Sequence, residues 1–136
     1  MKRLLAFIGI VCLPILLLSC ENGVESSSGI KLKLKENTST SITCTVTCEV
    51  AQLFILTEDE VSTIENEAHF IDTYHNDFEE FGEHYGDLVF KMFGICVAGT
   101  RDIAFKDLTP DTKYTIIAFT NGDTRFARLN VKTKKK

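Results

Sequence analysis

The sequence lacks the motifs of the common enzyme classes. It has no G-x-S-x-G nucleophile segment, no glycine-rich phosphate loop and no dinucleotide-binding fingerprint. Acidic pairs such as Glu79 and Glu80 are adjacent on a predicted helix and point apart, whereas catalytic carboxylate pairs converge on one bond. Tryptophan is also absent, which weakens the case for a carbohydrate-stacking surface. We therefore expect a protein that is not an enzyme and that needs no cofactor.

Basic residues are missing from the middle of the chain. Residues 58–87 contain eleven acidic residues and no lysine or arginine. Lysines gather instead at residues 31–35 and at the C-terminal end. An acidic surface of this kind argues against a nucleic-acid partner. It permits binding of a basic partner or of cations, or it serves only to keep the protein soluble.

The N-terminal segment has the pattern of an export signal. Lys2 and Arg3 precede an apolar run at residues 4–18, which is short for a membrane span. The run ends in Leu17-Leu18-Ser19-Cys20, which resembles the lipobox of bacterial lipoproteins. That resemblance implies cleavage between Ser19 and Cys20, and acylation of Cys20 by lipid chains such as palmitate. The alternative is an ordinary secretory signal in which Cys20 is incidental.

These features divide the chain into three parts. Residues 1–19 are the predicted signal peptide, and residues 20–29 are the lipidated cysteine and a flexible tether rich in glycine and serine. Residues 30–136 form the predicted domain. A tether of nine residues reaches only about 15–18 Å, which places the domain close to the membrane.

Alternating apolar and polar residues predict strands through most of the domain. Residues 30–35 and 41–48 alternate strictly, and residues 126–133 alternate with Ala127, Leu129 and Val131 pointing inward. Residues 51–56 are apolar on both faces, which predicts a strand that is covered on both sides. Asn121-Gly122-Asp123 predicts a hairpin turn before the last strand. The predicted fold class is therefore mainly β.

Residues 108–119 predict a tight turn that leads into a buried strand. The spacing Leu108-x-Pro110-x-Thr112-x-Tyr114 resembles the corner before strand F of fibronectin type III domains. That resemblance implies a β-sandwich in which the Tyr114 hydroxyl bonds the backbone a few residues upstream. Leu108, Pro110, Thr112 and Tyr114 are the structural residues of this predicted corner.

The region between the predicted strands departs from the fibronectin type III pattern. Residues 62–81 have helical periodicity, with a Ser62-x-x-Glu65 capping box at the start and Gly82 as the stop. Residues 87–97 predict a second, shorter helix. We expect a helical insertion at about residues 62–97 that replaces strands C′ and D and covers the outer face of strand C.

Cysteines and histidines offer few candidate sites. Cys44 and Cys48 lie about 13 Å apart on one strand and cannot bridge. Either cysteine can form a disulfide bond with Cys96 if the second helix packs over their strand. In the alternative interpretation, all three cysteines are buried apolar residues. Weak candidates for metal ligands are His69, Asp72 and Glu65, which share a helix face, although charged helix faces usually serve solubility.

The sequence as a whole predicts a lipid-anchored lipoprotein of the bacterial cell envelope, most simply at the outer membrane, with its face undetermined. We expect a non-catalytic binding, adhesion or assembly module whose partner is the membrane, through its lipid, and a protein or glycan ligand of unknown identity. One alternative is a structural accessory subunit of an outer-membrane complex. The other is a small metal-binding protein that uses the acidic helix.

Overall fold

A single curled antiparallel sheet carries the fold, so the mainly β prediction is confirmed. The computed structural model describes residues 23–25 and 29–136, without the side chains of residues 23–25 and 95–97. The predicted signal, the lipobox and most of the tether lie outside these residues. The strands are β1 Gly23–Glu25, β2 Lys31–Asn37, β3 Ile42–Thr57, β4 Met92–Phe105, β5 Lys113–Phe119 and β6 Ala127–Lys132. Their order is β1-β2-β3-β5-β6, and β4 pairs with β3.

The long strand β3 replaces two predicted strands. Its first part pairs with β2, its last part pairs with β5, and β4 runs along its other edge. Both β3 and β4 bend near Glu49, where Ala98 and Gly99 adopt φ values of 28° and 105°. Phe93 and Phe105 show the extent of the bend, because their ring centroids lie 4.6 Å apart. Twelve residues of straight strand would separate them by about 40 Å.

Hydrogen bonds near the two ends of the sheet hold the curl together. Asn37 Nδ2 donates to the Lys132 carbonyl at 2.8 Å, and the Lys134 N–H donates to the Thr38 carbonyl at 3.0 Å. Because side chains alternate along a strand, every second side chain points into this curl, as the sequence pattern predicted. The enclosed core contains Leu32, Ile42, Cys44, Val46, Leu53, Tyr114, Ile116, Ala118, Ala127, Leu129 and Val131. The predicted inward face of β6, with Ala127, Leu129 and Val131, is therefore confirmed.

Four short helical segments connect β3 to β4. They are α1 Glu58–Ser62, α2 Glu67–Asn76, α3 Phe78–Tyr85 and a 3₁₀ helix at Gly86–Lys91. The single predicted helix over residues 62–81 is wrong because two side chains cap new helices inside it. Asn66 Oδ1 accepts from the His69 N–H at 3.0 Å, and Asp77 Oδ1 accepts from the Glu80 N–H at 3.1 Å.

Other predicted helix limits are also wrong. The capping box lies at Thr57 and Glu60 and not at Ser62 and Glu65: the Thr57 N–H donates to Glu60 Oε1 at 2.8 Å. Gly82 lies inside α3. The second predicted helix stops at residue 91, because the following residues pair with β3 and become β4. The helical segment therefore spans residues 58–91 and not 62–97.

A second core lies between the sheet and the helices. Phe54 and Leu56 of β3 point out of the curl, next to Ile117 and Phe119 of β5, so the predicted two-sided burial of residues 51–56 is confirmed. Phe70 of α2 is fully buried against them, with its ring centroid 5.6 Å from that of Phe54. The other members are Ile64, Ile71, Phe81, Leu88 and Phe126.

Polar contacts also tie the helices to the sheet. Glu67, in the first turn of α2, accepts a hydrogen bond from the Phe126 N–H at 2.8 Å and forms an ion pair with Arg128 of β6. Among the described residues, no helix is long and apolar enough to cross a membrane.

Candidate functional site

The predicted corner is a packing feature of the sheet. The Tyr114 hydroxyl accepts a hydrogen bond from the Thr109 N–H at 3.0 Å. Thr112 Oγ1 donates to the Pro110 carbonyl at 2.9 Å, and the Leu108 N–H donates to the Thr40 carbonyl at 2.9 Å. These bonds fix the turn before β5, and Tyr114 is 9% exposed. The corner therefore stabilises the turn that leads into β5.

The structure does not bring the predicted metal candidates together. Glu65 lies in the loop before α2, and Asp72 accepts a hydrogen bond from Asn76 Nδ2 at 2.8 Å. The prediction assumed one helix over residues 62–81, whereas the observed helix begins only at Glu67 and leaves Glu65 outside it. His69 is the one candidate that joins a cluster.

That cluster consists of His69, Glu80 and His84. One ligand atom from each lies within 4.8 Å of the others, and His69 Nε2 is 3.5 Å from Glu80 Oε2. Glu80 and His84 are four residues apart on α3 and so share a face. His69 comes from α2, which packs beside α3 after the break at Asp77. His69 and Glu80 are half-buried, and His84 is exposed.

Tyr85 supports this cluster from behind. Its hydroxyl lies 2.9 Å from His69 Nδ1, the ring nitrogen that faces away from Glu80. Burial raises the pKa of Tyr85, and the charges of Glu65 and Glu80 raise it further, so its hydroxyl stays protonated at neutral pH. When Nδ1–H donates to this hydroxyl, the Nε2 lone pair of His69 is free to bind a cation. Two imidazoles and one carboxylate thus converge at a partly exposed position.

A separate cleft lies where the C-terminal end of α2 crosses the bend of β3. Its volume is about 340 Å³. It is lined by Ile30, Glu49, Val50, Ala51, Gln52, His75, Phe119, Thr120 and Asn121. The lining residues come from four distant parts of the chain, so no local sequence pattern identified the cleft.

His75 is the unusual residue of this cleft. Its Nε2 atom is buried and has no hydrogen-bond partner among the described residues. Burial lowers the pKa of His75, which outweighs the opposing charge of Asp123. The imidazole is therefore neutral at pH 7, and its buried nitrogen lacks the partner that such groups nearly always have. The His75 ring lines the cleft, whereas this nitrogen itself is closed off from solvent.

The cysteines are distributed along the bent sheet. Cys44 and Cys48 are buried in the enclosed core. Cys96 belongs to β4 and not to a helix, and it lies opposite Ala51, whereas Cys48 lies opposite Gly99. The side chain of Cys96 is outside the described ones.

Comparison with known proteins gives no relative for this chain. No protein-family model matches it, and neither the curated proteins nor the solved structures include a match. The fold and the two sites define a mainly β domain with a helical cap, a cleft lined by apolar and polar side chains, and a histidine–carboxylate cluster.

Proposed function

We propose that this protein is a lipid-anchored lipoprotein of the bacterial cell envelope, located at the outer membrane. The N-terminal sequence supports this proposal. Lys2 and Arg3 are followed by an apolar run and then by a segment that resembles a lipobox and ends in Cys20. Several acyl chains on one cysteine make a durable anchor, since each buried CH₂ contributes about 0.8 kcal/mol.

The domain on this anchor is, in this proposal, a fibronectin type III-like sandwich with a helical insertion. Strand adjacency supports it: the first part of β3 lies between β2 and the C-terminal part of β4, like strand B between A and E. The last part of β3 lies between the N-terminal part of β4 and β5, as strand C lies between strands C′ and F. β5 in turn pairs with β6, as strand F pairs with strand G. On this interpretation the bend at Glu49 separates the two layers, and the helices lie between strands C and C′ and do not replace strand C′ as the sequence predicted.

The domain acts as a non-catalytic binding module, and the cleft beside His75 is its binding site. The observation that carries this proposal is the cleft of about 340 Å³, in which the His75 ring lies beside amide side chains and apolar surface. Gln52 and Asn121 add amide groups, while Ile30 and Phe119 supply apolar surface. This lining suits a neutral polar group, such as a hydroxyl or amide of a glycan or of an extended protein segment, next to an apolar one.

Binding is tested with the full chain in detergent on arrays of envelope glycans and of peptides. We expect at least one class of probe to bind the wild type, and His75→Gln to lose most of that signal. Asp72→Asn is the matched control, because Asp72 lies exposed on the same helix and outside the cleft. The proposal fails when no probe binds, or when the two variants bind equally well. If no array probe binds and one partner protein stays bound through every purification step, the protein is an accessory subunit instead.

A further inference from the structure

The His69–Glu80–His84 cluster has the ligand chemistry of a transition-metal site. Two imidazole nitrogens and one carboxylate oxygen suit zinc and its neighbours better than calcium or magnesium, which prefer oxygen ligands alone. All three ligand atoms already lie within 4.8 Å of one another in the folded protein. The three residues belong to two helices that are fixed by their own caps and by the aromatic core, so little chain ordering is needed on binding.

The distances agree with this chemistry. Two ligands of a tetrahedral zinc ion, each about 2.0–2.1 Å from the metal, lie about 3.3–3.5 Å apart. His69 Nε2 and Glu80 Oε2 are 3.5 Å apart. A ring nitrogen of the exposed His84 lies within 4.8 Å of both atoms, and metal binding would draw it closer. A fourth position then faces solvent, as in sites with three protein ligands and one water.

The surroundings favour a cation in two further ways. Tyr85 holds His69 through Nδ1, which is the outer contact that fixes the orientation of metal-binding histidines. The segment around the cluster, residues 58–87, carries eleven acidic residues and no lysine or arginine. Three of these acids pair with Lys91, Lys113 and Arg128, and the remaining eight leave a negative net charge that attracts cations.

We infer that His69, Glu80 and His84 bind a divalent transition-metal ion, with zinc as the representative metal, and that the ion cross-links α2 to α3. The site uses different residues from the proposed lipid anchor and the His75 cleft, so its test does not depend on the proposed function. It uses one of the three candidates expected from the sequence, His69, together with two residues on the neighbouring helix.

The test is zinc titration of the metal-stripped full chain by isothermal calorimetry. We expect saturable binding with one ion per chain, a higher thermal midpoint with zinc, and no displacement by excess calcium. The double variant His69→Gln/His84→Gln should lose this binding. Tyr85→Phe should weaken it about 10–100-fold, as outer contacts to metal ligands typically do. Far-UV circular dichroism checks that each variant is folded.

Two matched controls distinguish specific zinc coordination from nonspecific attraction of zinc to acidic side chains. Asp72→Asn and Glu65→Gln each remove a nearby negative charge but no ligand, and both should retain binding. Absence of saturable zinc binding in the wild type overturns the inference. So does equal binding by the folded double variant, which would point to the cysteines, or an equal loss in the two controls, which would point to diffuse attraction.

Discussion

Replacing Tyr114 with phenylalanine removes a single oxygen atom from the corner before β5. The ring keeps its place in the enclosed core beside Ile116, so the apolar burial is unchanged. The Thr109 N–H loses its acceptor at 3.0 Å. An unsatisfied buried donor costs about 1–3 kcal/mol, and the lower part of this range applies because Thr109 is itself exposed. We expect a loss of about 1–2 kcal/mol in the free energy of unfolding.

Urea denaturation measures this loss directly, with an unchanged slope and a lower midpoint. In thermal unfolding, each kcal/mol corresponds to about 4–8 °C for a domain of this size. The Thr109 amide should also exchange its hydrogen faster in the variant, which locates the effect at the corner.

Tyr74→Phe is the matched control for this experiment. Its hydroxyl donates to the Gln52 side-chain carbonyl at 3.1 Å, and that flexible side chain finds water as a substitute. We expect a loss below about 1 kcal/mol. A Tyr114→Phe midpoint equal to that of the wild type, or an equal loss in both variants, would refute the view that the corner bond stabilises this turn.

Two further predictions concern the anchor and the cleft. Cys20→Ala should abolish acyl labelling and release the chain from the membrane fraction, whereas Cys12→Ala, in the apolar run, should leave both unchanged; persistent labelling of Cys20→Ala contradicts the lipobox. The second follows from burial, which lowers the pKa of His75 in the folded chain below its ordinary value of 6.5. The unfolded chain therefore takes up a proton first on acidification, and stability should fall as the pH drops from about 6.5 toward the folded pKa. Urea midpoints measured across this range should fall less in His75→Gln than in the wild type, and parallel curves would refute the assignment.

Local patterns in the sequence determined the strands that close the sheet. The alternation of β2 and β6 follows from the two-residue period of an extended chain, so the buried face is visible from the order of residues alone. The apolar character of residues 51–56 on both faces required a cover, and the helices supply it. Asn121-Gly122-Asp123 marked the turn between β5 and β6, where Gly122 has φ 100°.

Tertiary structure decided the course of β3 and β4. Residues 92–97 have an apolar pattern compatible with helix, but the open edge of β3 offers them a hydrogen-bonding ladder, and they become a strand. β3 bends at Glu49 and continues as one strand, whereas the sequence pattern predicted two separate strands. Such choices depend on which distant segment pairs with a given edge, and periodicity within one segment carries no such information.

The candidate sites show the same division. The sequence determined which side chains are available: the cysteine of a predicted export signal, and histidines among acids. Asp77 ends one helix and caps the next, and this break places Glu80 and His84 beside His69 in place of Asp72. The His75 cleft likewise joins four distant segments. The cluster depends on how two consecutive helices pack after the break at Asp77, and the cleft depends on the packing of the helices on the folded sheet.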